Sequence, residues 1–67
     1  MTSGLTERQQ QVLARLVRGF TMKQVANELG ISVRTVAFHK YKAMGNNGLQ
    51  NNADLMTFAL RHGLIRR

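Results

Sequence analysis

The chain has 67 residues, enough for one domain and too few for two. A hydrophobic share of 43% argues against a disordered chain, although so short a chain buries only a small core. Ten Lys and Arg against three acids give a net charge of +7, with no Cys, Pro or Trp. The absence of Cys excludes a disulfide staple, a thiolate metal site and a thiol nucleophile, and makes a reducing cytoplasm the expected compartment. No apolar run approaches the ~18 residues of a membrane-spanning helix. The start, residues 1–10, has no apolar signal-peptide core. Glu7, Glu28 and Asp54 are the only acids, and neither a phosphate loop nor a nucleophile elbow is present, so an enzyme is not expected. His39 and His62 without further ligands make a poor metal site, and neither a metal nor a cofactor is expected.

The first four residues are short and polar and are expected to be mobile. Helix one starts at Thr6, where Thr-x-x-Gln forms a capping box with Gln9. Glu7 complements the helix dipole. Val12, Leu13, Leu16 and Val17 make a helical stripe, Arg15 and Arg18 face away, and Gly19 stops the helix. Helix two repeats this grammar, with Thr21 and Gln24 as its capping box, Val25, Ala26 and Leu29 inside, and Gly30 as its stop. Helix three follows at once, capped by Ser32. Val36, His39, Lys40 and Ala43 share one side of it; Arg34, Phe38, Tyr41 and Gly45 share the other. His39 on the inner side is expected to be a packed, hydrogen-bonded structural histidine. Helix four has Asn51 as N-cap and Asp54 three residues on. Leu55, Phe58, Ala59 and His62 lie on one face, Gly63 closes it, and Leu64 and Ile65 pack after the turn. No stretch alternates as a strand does. The expected fold is all-α, one four-helix domain.

Helices two and three form a helix-turn-helix unit. Ala26 lets the helices cross closely, Gly30 supplies a left-handed turn residue, and Ile31 and Val36 plug the angle between them. One face of helix three is thereby presented to solvent, and such a helix fits the major groove of duplex DNA. The charge pattern agrees, since no acid lies between Glu28 and Asp54 whereas Arg34, Lys40 and Lys42 do. A solvated basic surface accounts for the net charge alone; the acid-free window falls on one particular helix. Arg34 suits a bidentate bond to guanine. Lys40 and Lys42 suit phosphates, and Lys23 in the first turn of helix two is a further cation for the duplex. Ser32 and Thr35 hydroxyls beside the start of helix three suit a phosphate too. Phe38 and Tyr41 either turn inward as core or stand outward. Outward, Phe38 packs on a thymine methyl and the Tyr41 hydroxyl bonds a base or a phosphate. Arg61, Arg66 and Arg67 make a second basic cluster.

The segments Leu5-Thr6-x-Arg8, Val12-Leu13, Gly19, Val25-Ala26-x-x-Leu29-Gly30-Ile31-Ser32, Thr35-Val36-x-x-His39 and Asp54-Leu55-x-x-x-Ala59-Leu60-Arg61-His62-Gly63-Leu64-Ile65 resemble the DNA-binding domain of LuxR/GerE-type bacterial transcription factors. The resemblance covers about residues 5–65. It implies a four-helix domain whose third helix reads the major groove, with base-reading positions at Ala37, Phe38 and Tyr41 beside Arg34. It implies that helix four helps pair two subunits on inverted half-sites. It also implies that the domain is the output part of a longer cytoplasmic, nucleoid-associated regulator with a phosphorylatable receiver or an acyl-homoserine-lactone sensor ahead of it. RNA polymerase is a further candidate partner. One departure stands out: the family's basic residue, Leu and Gly near the end of helix three read here as Asn46, Asn47 and Gly48. An unpaired Asn47 amide is costly to bury, and Gly45 weakens a helix. Helix three is therefore expected to stop near Met44, with Leu49 filling the gap.

Met56 and Leu60 lie outside the apolar stripe of helix four, either as scattered surface residues or as a small two-fold seam. So small a patch predicts a weak homodimer that pairs mainly on DNA. Two rivals remain open. One is a promoter-binding module like region four of a sigma factor. The other is a protein–protein module using Met22, Phe38, Tyr41, Met56 and Leu60. A membrane-surface role is not expected, because the apolar stripes are needed for the core.

Overall fold

The computed structural model describes residues 4–65. It contains α1 (Glu7–Leu16), α2 (Met22–Leu29), α3 (Val33–Asn46) and α4 (Asn52–Arg61), and no strand among the described residues. The all-α, four-helix fold is thus the observed one. Residues 1–3 of the segment expected to be mobile, and Arg66 and Arg67 of the second basic cluster, lie outside the described residues. Gly4 sits in a turn beside Asn47.

Local hydrogen bonds explain where each helix begins. The Gln9 N–H donates to Thr6 Oγ1 at 3.1 Å, and the Thr6 N–H returns a bond to Gln9 Oε1 at 3.0 Å. Gln9 is buried, and this exchange satisfies its side-chain oxygen. Thr21 and Gln24 repeat the arrangement at 3.1 and 2.8 Å. Ser32 Oγ accepts from the Thr35 N–H, and Asn51 Oδ1 accepts from the Asp54 N–H. Asp54 Oδ2 in turn accepts from the Gln50 N–H, one residue before the cap.

Val12 and Leu13 are adjacent on α1 and point about 100° apart, so each anchors its own cluster. Val12 meets Val25, Ala26 and Val36, with Leu16, Phe20, Met22, Leu29 and Ile31 around them. This cluster seats α2 and α3. Leu13 meets Ala43 and Leu55, with Leu5, Val17, Leu49 and Leu64 around them. This second cluster ties the far half of α3 to α4. The Cα radius of gyration, 10.8 Å, matches the ~11 Å of a closely packed chain of this length.

The joint between α2 and α3 is built as its residues suggest. Gly30 has φ +68, and the Ile31 N–H bonds back to the Ala26 carbonyl at 3.0 Å. Ala26 and Val36 are both buried where the helices meet.

The end of α3 corrects the sequence-based expectation. The helix does not stop near Met44: it runs to Asn46, and the Asn47 N–H still bonds the Ala43 carbonyl at 3.2 Å. The Asn47 amide is not left unpaired, because its Nδ2 donates to the same carbonyl at 2.8 Å. Met44 is buried and anchors the last turn, so Gly45 is tolerated. Gly48 then takes φ +68, and the Leu49 N–H closes on the Met44 carbonyl at 2.9 Å. Leu49 packs beside Leu13 and Leu55, the place expected for it.

Gly30→Val tests the joint. A β-branched residue held at this positive φ costs about 1–3 kcal/mol. Thermal unfolding followed by circular dichroism should show a midpoint lower by several degrees, and an unchanged midpoint would contradict the analysis.

Candidate nucleic-acid interface

The inner side of α3 is filled by Val36, Ala43 and Met44, all buried. Little room is left inside for the aromatic pair, and both rings stand outward. Phe38 is 60% and Tyr41 59% exposed. Arg34 and Lys42 are exposed beside them. Arg34, Phe38 and Tyr41 occupy one strip, since steps of four and three residues return to the same side of a helix. From Arg34 to Tyr41 this strip is about 10 Å long at 1.5 Å per residue.

Other residues singled out in the sequence frame the strip. Ser32 and Thr35 lie at its N-terminal end, their hydroxyl oxygens 2.9 Å apart. Their mutual bond uses one O–H and leaves the other to donate to a phosphate oxygen. Ala37 is half-buried at the strip's edge, and Lys23 is exposed in the first turn of α2. Lys40 departs from the rest: it is half-buried and lines a cleft of about 380 Å³ with Leu16, Phe20, Met22, Leu55 and Met56. Its ammonium lies 4.9 Å from the centre of the Tyr41 ring, a cation–π contact that brings the charge back towards the strip.

His39 is half-buried and meets Phe38 edge-on, with ring centroids 5.5 Å apart at 71°. Packing holds it as expected. The expected hydrogen bond is not there: among the described residues none is made by its side chain. Val33 adds an apolar side chain to the outward surface. It directly follows the Ser32 cap and is 46% exposed. No local signal in the sequence marks it.

The acids are all accounted for away from this surface. Glu7 sits in the first turn of α1. Glu28 Oε1 accepts from Arg15 Nε at 2.7 Å, which pins α1 to the end of α2 and engages Arg15 there. Partly exposed as it is, this pair adds at most about 1 kcal/mol. Asp54 caps the start of α4. Arg34, Lys42 and Lys23 therefore act without a neutralising neighbour in sequence. On α4, Met56 is 43% and Leu60 44% exposed, outside the buried Leu55, Phe58 and Ala59. Phe58 stacks on His62, with centroids 4.3 Å apart, so His62 belongs to the packing at the end of α4. Among the described residues no group of His, Cys, Asp and Glu could hold a metal ion, and no helix is long and apolar enough to cross a membrane.

A small helical domain with a tight glycine corner and a basic, acid-free outer helix is a helix-turn-helix domain. Residues 3–59 match the model of the bacterial regulatory proteins of the luxR family, and the chain belongs to that family. It is 37% identical over 57 residues to the transcriptional regulatory protein TdiR of Thauera aromatica, covering 85% of this chain and 25% of that protein. To the transcriptional regulatory protein UhpA of Escherichia coli K12 it is 39% identical over 51 residues, 76% of this chain and 26% of that one. To the oxygen regulatory protein NreC of Staphylococcus aureus it is 33% identical over 61 residues, 91% of this chain and 28% of that one. The chain thus spans about a quarter of the length of these relatives. No solved structure matches it. The family is one of transcription regulators.

Proposed function

We propose that this domain binds double-stranded DNA with α3 in the major groove, as the output domain of a bacterial transcription regulator. The observation that carries this reading is the outward strip of α3: Arg34, Phe38 and Tyr41 in line, Lys42 beside them, and no acid between Glu28 and Asp54. Membership of the luxR family supports it over the sigma-factor alternative. Arg34 takes a guanine edge, Phe38, Tyr41 and Ala37 face the bases, and Lys23, Lys40, Lys42, Ser32 and Thr35 hold phosphates. The input to the regulator is a receiver or small-molecule sensor elsewhere in the full protein, with the two-component type favoured. RNA polymerase is the further partner through which a bound regulator would act.

Two domains pair on inverted half-sites about 10 bp apart, through Met56 and Leu60 on α4. Two half-exposed side chains bury far less than a stable dimer interface requires, so pairing depends on DNA holding both copies. Sedimentation of the DNA-free domain should show a monomer at micromolar concentration. A tight dimer there would contradict this account of the seam.

Salt separates this function from a protein–protein module. Neutralising about four phosphates gives a slope of log K against log salt of about −3.6. Lys42→Ala should weaken all duplexes alike and reduce that slope by about one, while Arg34→Ala should relax base preference by about 1–3 kcal/mol with the fold intact. Anisotropy titrations over a salt series read both effects. A slope near zero, or no change in either variant, would remove α3 as the reader.

A further inference from the structure

The outward strip of α3 is poor in hydrogen-bonding groups for a surface that meets base edges. Arg34 and the Tyr41 hydroxyl are its only strong ones. Between and beside them stand the Phe38 ring, 60% exposed, and the Val33 side chain, 46% exposed, with the Ala37 methyl at the edge. Gly45 continues the strip with no side chain at all. A Cβ there would meet nothing within 4 Å, so no packing inside the protein asks for glycine. Glycine weakens a helix relative to alanine, and on an outward face it clears space for another body to approach.

An apolar ring held in water is unfavourable for the free domain. Its neighbours Arg34 and Lys42 are cationic and its stretch of chain has no acid, so the surface that covers it carries negative charge. In the major groove of a duplex the apolar feature available to such a ring is the C5 methyl group of thymine. Phe38 offers no donor or acceptor to the groups beside that methyl. Its contact therefore distinguishes pyrimidines by the methyl and not by the exocyclic oxygen or amine.

Resting on the reading of α3 as the DNA reader, we infer that Phe38 makes this domain a reader of pyrimidine C5-methyl groups, which accepts 5-methylcytosine where it accepts thymine. Arg34 and Phe38 are four residues apart, about 6 Å along the helix or about two base-pair steps. The methyl thus lies about two steps from the guanine that Arg34 bonds.

The test uses this domain and duplexes selected from a random-sequence pool. Each selected duplex is resynthesised with deoxyuridine for thymidine, one position at a time. At the sensitive position, C·G and 5-methyl-C·G pairs then replace T·A. Affinity is read by anisotropy at low salt, where phosphate contacts keep weakened variants on the duplex. Removing the methyl at one or two positions should weaken binding about three- to fivefold, the effect expected for one buried methyl-sized group. 5-Methylcytosine should recover most of what cytosine loses, and Phe38→Ala should bind thymine and uracil duplexes alike. Uracil bound as tightly as thymine, 5-methylcytosine bound no better than cytosine, or a methyl preference that persists in Phe38→Ala overturns the inference and leaves α3 as the reader. A pool from which no duplex is enriched overturns the DNA reading and this inference with it.

Discussion

Gly30 turns the chain at φ +68, and the Ile31 N–H closes on the Ala26 carbonyl at 3.0 Å. Through that corner α3 leaves α2 at a set angle, and everything on its outward strip inherits the angle. The corner needs a residue without a Cβ at Gly30 and a small one at Ala26, where α3 crosses. Buried Val12, Val25 and Val36 then keep the two helices from rotating against each other. The second cluster, around Leu13, Ala43 and Leu55, holds the other end of α3 against α4. Anchored at both ends, the helix presents its surface as a rigid body, and a rigid surface loses little freedom when it docks.

Electrostatics then select what docks. The chain has few acids, and each is used where it helps the fold: near the start of α1, against Arg15, and at the cap of α4. Their placement leaves the cations around α3 without nearby compensation. In a duplex groove such a surface gains counterion release, which is large but blind to sequence. On the proposed reading, discrimination would fall to the short strip from Arg34 to Tyr41, where one charge and two rings would divide the work between hydrogen bonding and apolar contact.

Much of this was legible in the residues because it is local. The caps at Thr6, Thr21, Ser32 and Asn51 are decided within three residues, and the Gly30 corner within five. The end of α3 was not legible. It is settled by the Asn47 side chain bonding its own helix and by Leu49 reaching Leu13 and Leu55 across the chain. Propensity at Gly45 and Asn47 pointed to an earlier stop, and tertiary packing overrode it. The Arg15–Glu28 pair, thirteen residues apart, was equally invisible, as was the exposure of Val33. The outward stance of Phe38 and Tyr41 was favoured by their place on the side opposite Val36 and Ala43, and it is fixed by Val36, Ala43 and Met44 filling the inner side.

Backbone amide chemical shifts, followed by NMR while a selected duplex is titrated into the labelled domain, test the central claim most directly. The account predicts the largest changes at Ser32, Arg34, Phe38, Tyr41 and Lys42, with a smaller response at Lys23. Changes confined to α1 around Glu7 and Arg15, with α3 unmoved, would contradict it.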